Sequence, residues 1–193
     1  MIEQQIFRNG STTYYWSSKF FPAAVRQDVF DLYSFVRVAD DYVDQIPADK
    51  EGFYRLRRMV MEAQKSITFS TTKHADDARD ERVVKNIIRL QEAYNFEWSW
   101  IDAFLDAMQS DLVKKDYQIL DQSLEYVYGS AEVVGLMMAK IMDLPKDAEH
   151  AARMQGRAMQ WINFIRDIKE DNQLGRQYFP AEDLQQFNLK DLD

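Results

Sequence analysis

An apolar stripe at helical pitch constrains this chain more than any other feature. Val25, Val29, Leu32, Val36, Ala39 and Val43 recur at alternating steps of four and three, so one face of a helix begun near Pro22 is given over to burial. Pro22 suits a first turn and Pro47 cannot continue the helix, which bounds it on both sides. Helical patterning then covers Phe53 to Lys65, Asp80 to Tyr94, Trp98 to Lys115, and Leu124 to Met142 before Pro145. A last long helix is expected from Lys146 to Leu174, with Met154, Ala158, Trp161, Ile165 and Ile168 as its stripe and Gly175 as its stop. With only 6 glycines and 4 prolines among 193 residues the class is all-α, and the polar stretch from Ser70 to His74 is expected as a surface loop.

Composition narrows the function. A chain that is 46% hydrophobic and 13% aromatic can bury a sizeable core, and a single all-helical domain over residues 1–193 is the expectation. The formal net charge is -8, and basic residues cluster no further than pairs such as Arg57-Arg58 and Lys114-Lys115, so no nucleic-acid partner is expected. The absence of cysteine excludes disulfides, thiolate metal sites and cysteine nucleophiles. No apolar stretch approaches the roughly 20 residues needed to cross a bilayer. The start Met1-Ile2-Glu3 lacks the basic and apolar regions of a signal peptide, so a cytoplasmic protein touching membranes only peripherally is expected.

Two acidic clusters carry the chemistry. Asp40, Asp41 and Asp44 fall in the final turns before Pro47, and Asp167, Glu170 and Asp171 fall close to Gly175. The end of a helix disfavours an acid by roughly 0.3 to 1 kcal/mol, so both clusters need another reason to exist. Asp40 and Asp44 are four apart and share a face, as do Asp167 and Asp171, and each pair can offer several oxygens to one hard cation. Magnesium, with manganese as a substitute, suits such a site and can bridge it to phosphate oxygens. Tyr33 and Arg37 share the face of the first pair, while Gly156, Gln160 and Asn163 share that of the second. If the apolar stripes pack into one bundle, both acidic faces border a common cavity, with Arg37 and Arg166 placed to contact phosphate. One acidic cluster alone is ordinarily a solvated face, and Arg37 with Asp41 or Arg166 with Glu170 has the spacing of an ordinary helical ion pair. The repeated spacing, each time preceded by arginine, argues for a shared purpose.

These residues also carry a family resemblance. Tyr33-Ser-Phe-Val-Arg37-Val-Ala-Asp40-Asp41-Tyr-Val-Asp44 and Gln160-Trp-Ile-Asn163-Phe-Ile-Arg166-Asp167-Ile-Lys-Glu170-Asp171 resemble the two aspartate motifs of the squalene/phytoene synthase family. The likeness continues into Gly175-Arg176-Gln-Tyr178-Phe179-Pro180. Met108-Gln-Ser-Asp111-Leu112 and Tyr126-Val-Tyr-Gly-Ser-Ala131-Glu132-Val-Val-Gly135-Leu-Met-Met are similar to its central helices, in the same order. The resemblance implies the isoprenoid (terpenoid) synthase helical bundle. It also implies a head-to-head condensation of two prenyl diphosphates, C15 or C20, through a cyclopropylcarbinyl diphosphate, as in carotenoid biosynthesis. By the same resemblance Asp40, Asp44, Asn163, Asp167 and Asp171 hold magnesium and Arg37, Arg166 and Arg176 bind diphosphate. Tyr33 and Tyr126 line the reaction centre, with Tyr126 handling a proton or stabilising a cation, and Gln160 stands at the cavity wall. The blocks look most like the phytoene branch of the family. Whether NADPH reduces the intermediate is left open, since no Gly-rich loop is visible and the family does not bind it through one.

The departures and alternatives are specific. Glu132 stands where many members have glycine, so the cavity wall is expected to differ there. The chain stops at Asp193, whereas members continue for several more helices, and a bundle short of its C-terminal helices is the expectation. Chain-elongating prenyl diphosphate synthases repeat an Asp-Asp-x-x-Asp pattern, and cyclases use an Asn/Asp, Ser/Thr, Glu arrangement; Asp167-Ile-Lys-Glu170-Asp171 is neither. A di-metal oxidase bundle needs Glu-x-x-His pairs, which His74 and His150 do not supply. A noncatalytic prenyl diphosphate-binding homologue is the remaining alternative. Gly129 and Gly135 suit either close helix packing or room for a prenyl chain, and Tyr33, Tyr126 and Tyr128 also have the spacing of core aromatics.

Overall fold

The computed structural model describes residues 2–10, 12–65, 75–189 and 192. Among them the regular elements are all helical, apart from one isolated bridge between Asp116 and Gln177. The loop expected at Ser70 to His74 lies outside the described residues. Contacts divide the chain into two compact units, Met1–Trp98 with Lys140–Asp143, and Ser99–Ala139 with Leu144–Asp193. No described helix is long and apolar enough to cross a membrane.

The first unit holds α1 (Ile2–Gly10), α2 (Thr12–Ser17), α3 (Ala23–Asp44), α4 (Lys50–Gln64) and α5 (Ala75–Tyr94). Helix α3 starts directly after Pro22 and ends before Pro47, as the prolines require. Val29, Leu32, Ala39 and Val43 of its stripe are buried, Val25 and Val36 are half-buried, and Phe30, Phe35, Val38 and Tyr42 widen the buried face. That width follows from three neighbours, since α1, α4 and α5 all pack on α3. Asp49 caps α4 by accepting the Gly52 N–H at 2.9 Å, a bond worth about 1 kcal/mol. Asp80 of α5 is fully buried and joins three helices: Tyr42 donates to it at 2.8 Å, and Arg55 donates through Nε at 3.0 Å and Nη2 at 2.9 Å. Burial raises the Asp80 pKa, and the bonds from Tyr42 and Arg55 hold that rise back.

The second unit contains α7 (Leu120–Val127), α9 (Glu149–Arg166), α10 (Ile168–Leu174), α11 (Ala181–Gln186) and most of α6 (Trp98–Asp111) and of α8 (Val133–Ile141). Helix α6 ends at Asp111, short of the expected Lys115. The Leu112 and Val113 N–H groups turn to the i−3 carbonyls of Gln109 and Ser110, which closes the helix. The segment that follows bonds elsewhere, with the Lys115 and Tyr117 carbonyls accepting from Gln177 N–H at 2.8 Å and Ala181 N–H at 2.9 Å. Helices α7 and α8 form one continuous run that begins earlier than expected and is widened between them by a π-helical segment, Tyr128–Glu132. Such a segment inserts an extra residue into a helix and often accompanies a functional site.

Two expectations for the last long helix are corrected. It is interrupted at Asp167, whose φ of −102° and ψ of 14° separate α9 from α10. Glu170 and Asp171 therefore occupy the first turn of α10, where the helix dipole favours acids, so the end-of-helix penalty expected for them does not apply, while Asp40, Asp41 and Asp44 stand in the last turns of α3. Gly175 ends α10 in the left-handed region at φ 67°, as expected. The predicted apolar stripe is also not the packed face: none of Met154, Ala158, Trp161, Ile165 and Ile168 is buried, Ile165 is 63% exposed, and Phe164 is the buried side chain of α9. Helix α9 packs instead through small residues. A Cβ at Gly156 would strike the Ala131 carbonyl and one at Gly135 the Ala152 carbonyl, while one at Gly129 would strike the Ala103 carbonyl of α6. Close packing is thus the role that the structure gives Gly129 and Gly135.

Replacing Gly156 with alanine forces backbone apart from backbone. Thermal unfolding followed by circular dichroism should show a loss of about 1 to 3 kcal/mol. The reverse change at an exposed position of the same helix, Ala151→Gly, should cost about 1 kcal/mol or less.

Candidate active site

The first acidic group is built on the last turns of α3. Arg37 forks across two carboxylates, with Nη1 3.0 Å from Asp40 and Nη2 2.7 Å from Asp41. The helical pair of Arg37 with Asp41 is therefore present, and Asp40 joins it. Burial works against the Arg37 charge, but Asp40 and Asp41, then Tyr33 and Asp44, outweigh it and hold the pKa above the ordinary value. Burial pushes Asp41 up, against the opposing pull of Arg37 and Arg79. Tyr33 stacks on Phe7 of α1 with ring centroids 3.9 Å apart, and a Cβ at Gly10 would meet the Tyr33 hydroxyl and crowd Arg37. Helix α1 thus covers both residues.

The second acidic group straddles the break between α9 and α10. The Asp167 N–H donates to Asn163 O and the Asp171 N–H to Asp167 O, each at 2.8 Å, so the one-turn spacing of these three residues survives the interruption. Asn163 donates its amide to Gln160 at 3.4 Å, and Arg166 closes on the neighbouring Asp167 with two contacts of 2.6 Å. Arg176 is buried; its N–H donates to Asp171 O at 2.8 Å, and both residues line a crevice of about 10 Å³. Each acidic group thus draws its members from a single unit.

The donor set suits a hard cation. Among the described residues no three acidic or histidine side chains gather into a closed cage. What each motif offers is a pair of partly exposed carboxylates one turn apart, Asp40 with Asp44 and Asp167 with Asp171. Magnesium keeps several waters and takes further oxygens from phosphate, so an open pair fits it better than a cage would.

Beside the second group lies a buried polar knot. Tyr126 donates to Asp111 Oδ2 at 2.8 Å and Tyr178 to Asp111 Oδ1 at 2.9 Å, while the two phenol oxygens lie 3.4 Å apart. Phe164 stacks on Tyr178 at 4.5 Å with an interplanar angle of 6°, and Tyr126 lies 4.8 Å from Tyr178, so α6, α7, α9 and the segment after α10 meet in one aromatic wall. Burial, then the Asp111 charge, raises both phenols well above their ordinary value, with Arg176 opposing the rise at Tyr178. The Tyr126 hydroxyl is thus committed to Asp111. Sequence reasoning singled out Tyr126 but gave Asp111 and Tyr178 no role. Both lay inside the motif segments, yet separations of 15 and 67 residues show no periodic signal. His150 is exposed at the start of α9.

A sequence model of the family described as squalene/phytoene synthase matches residues 7–193. The chain belongs to the squalene/phytoene synthase family. It is 33% identical to a 15-cis-phytoene synthase from Enterobacter agglomerans over 94% of this chain and 64% of that protein. It is 25% identical to a 4,4'-diapophytoene synthase from Staphylococcus haemolyticus over 98% of this chain and 65% of that one. The chain thus spans a little under two thirds of the length of these relatives. Its structure is similar to the crystal structure of a dehydrosqualene synthase in complex with ligand, with a TM-score of 0.81, 24% identity, and coverage of 97% of this chain and 63% of that one. A squalene synthase from Alicyclobacillus acidocaldarius follows with a TM-score of 0.76 and 22% identity, over 97% of this chain and 68% of that one. The fold is the expected all-α isoprenoid synthase fold.

The knot predicts a pH dependence. Tyr126 and Tyr178 have raised pKa values in the folded protein, so their contribution is complete below the unfolded tyrosine pKa of about 10 and is lost as pH rises beyond it. Urea unfolding between about pH 8 and pH 11 should show wild-type stability falling with pH. A Tyr126→Phe, Tyr178→Phe double variant should be less stable at the lower pH and decline less steeply.

Proposed function

We propose that this family member condenses two prenyl diphosphates head to head, in the manner of a phytoene or dehydrosqualene synthase. The observation that carries the reading is the pair of one-turn acidic motifs, each with an arginine closed on it, the second of them beside an aromatic wall anchored by Asp111. The names of the relatives support the same chemistry. Magnesium held by Asp40 and Asp44, and by Asn163, Asp167 and Asp171, would neutralise a diphosphate and so ease its departure.

The residues of the chain supply the rest. Arg37, Arg166 and Arg176 contribute fixed positive charge for diphosphate oxygens. The faces of Tyr126, Phe164 and Tyr178 stabilise positive charge left on an allylic chain, and their burial keeps water from quenching it. Tyr33, stacked on Phe7, gives an aromatic surface beside Arg37. Gln160 holds the side chain of Asn163 in place. In this reading a C20 substrate gives phytoene and a C15 substrate a squalene-type product.

Incubation of the purified chain with farnesyl or geranylgeranyl diphosphate, with and without magnesium and NADPH, tests the proposal. Chromatography should show a head-to-head hydrocarbon that requires magnesium. A longer diphosphate would identify a chain-elongating enzyme instead, and magnesium-dependent binding without turnover would identify a binding homologue. Asp40→Asn and Asp167→Asn should each lower kcat by at least about a thousandfold, with helical content by circular dichroism unchanged. Full activity in either variant would remove the metal assignment.

A further inference from the structure

We infer that Glu132 is a positioning residue, and that its clamp on Arg153 and Arg157 sets the register of α9 against the π-helical segment; the role in turnover rests on the function proposed above. Glu132 is fully buried within the second unit and sits at the end of the π-helical segment. Its Oε2 accepts from Arg153 Nε at 2.9 Å and lies 2.9 Å from Arg153 Nη2, and its Oε1 accepts from Arg157 Nε at 2.6 Å. Arg153 and Arg157 stand one turn apart on α9, so a single carboxylate grips two successive turns of that helix. The Arg153 guanidinium also lies 5.3 Å from the ring centre of Tyr128, in the same segment.

A buried carboxylate held by two partly exposed guanidiniums is a poor way to gain net stability, because desolvating Glu132 offsets much of their attraction. What such a group supplies is a single allowed geometry. At this contact Gly156 and Ala131 already touch backbone to backbone, so sliding of α9 is resisted by contact and by charge at once. Gln160 and Asn163 lie three and six residues beyond Arg157 on the same helix. Tyr126 stands six residues before Glu132 on the other side of the contact. The clamp therefore fixes Gln160 and Asn163 relative to Tyr126, although Glu132 touches none of them in the bonds that define it. Misplacement by about 1 Å can cost roughly a hundredfold in rate, so a clamp of this kind acts on turnover rather than on binding.

Glu132→Gln keeps the shape and removes the charge. In assays with magnesium and either farnesyl or geranylgeranyl diphosphate, kcat should fall about ten- to a hundredfold while KM stays within about twofold. Hydrogen exchange of the α9 amides should quicken by about tenfold or more, with α4 unchanged. Wild-type kcat per folded molecule, even with a lowered melting temperature, would overturn the positioning role, and unchanged exchange along α9 would overturn the clamp. Absence of turnover in the wild type would count against the proposed function alone, since exchange still decides the clamp. If Glu132→Gln fails to fold, Arg157→Lys, which keeps the charge and loses the planar fork, is read by the same two measurements.

Discussion

Backbone against backbone, with no side chain between, is the contact on which the second unit rests. Gly156 meets the carbonyl of Ala131 and Gly135 that of Ala152, so α9 lies closer to the π-helical segment and α8 than any residue with a Cβ would allow. At that distance there is little apolar side-chain area to bury, and the interface derives its specificity from shape and from the charges around it. The Glu132 clamp, the Phe164 ring against Tyr178, and the positions of Gln160 and Asn163 all follow from this approach.

The first unit solves its packing differently. There α3 is gripped on several sides by bulky side chains, and its polar tie is Asp80, which draws on Tyr42 from α3 and Arg55 from α4. The same helix ends in the first acidic motif, where the dipole opposes the three aspartates and Arg37 offsets part of that cost. Tyr42 lies within the motif yet faces the core, so the segment that carries the acids is anchored by a residue of its own.

How much of this was legible in the sequence depended on whether the signal was periodic. The α3 stripe had the helical period and two prolines to bound it, and its boundaries and buried face came out as expected. The α9 stripe had the same period and misled, because period reports which face is apolar but not which face touches a neighbour. Glycine at 156, flanked one turn earlier by Ala152, was the better indicator. The break at Asp167 carried no proline or glycine to announce it. The arginine partners of Glu132 lie 21 and 25 residues away, and Tyr178 lies 67 residues from Asp111, so neither grouping has a local signature. In the candidate site, the motif acids were legible because their spacing is local, while the hydrogen bonds that orient the neighbouring aromatics were not.

The interruption at Asp167 gives the second motif a mechanical property that the first lacks. Asp40 and Asp44 ride on one uninterrupted helix, so their separation is as stiff as the helix itself. Asp167 sits at a joint, with Asn163 on one segment and Asp171 on the other. The second motif is instead tied across the joint by the Asp167 N–H on Asn163 O and the Asp171 N–H on Asp167 O, so its spacing rests on those two bonds and not on one unbroken helix.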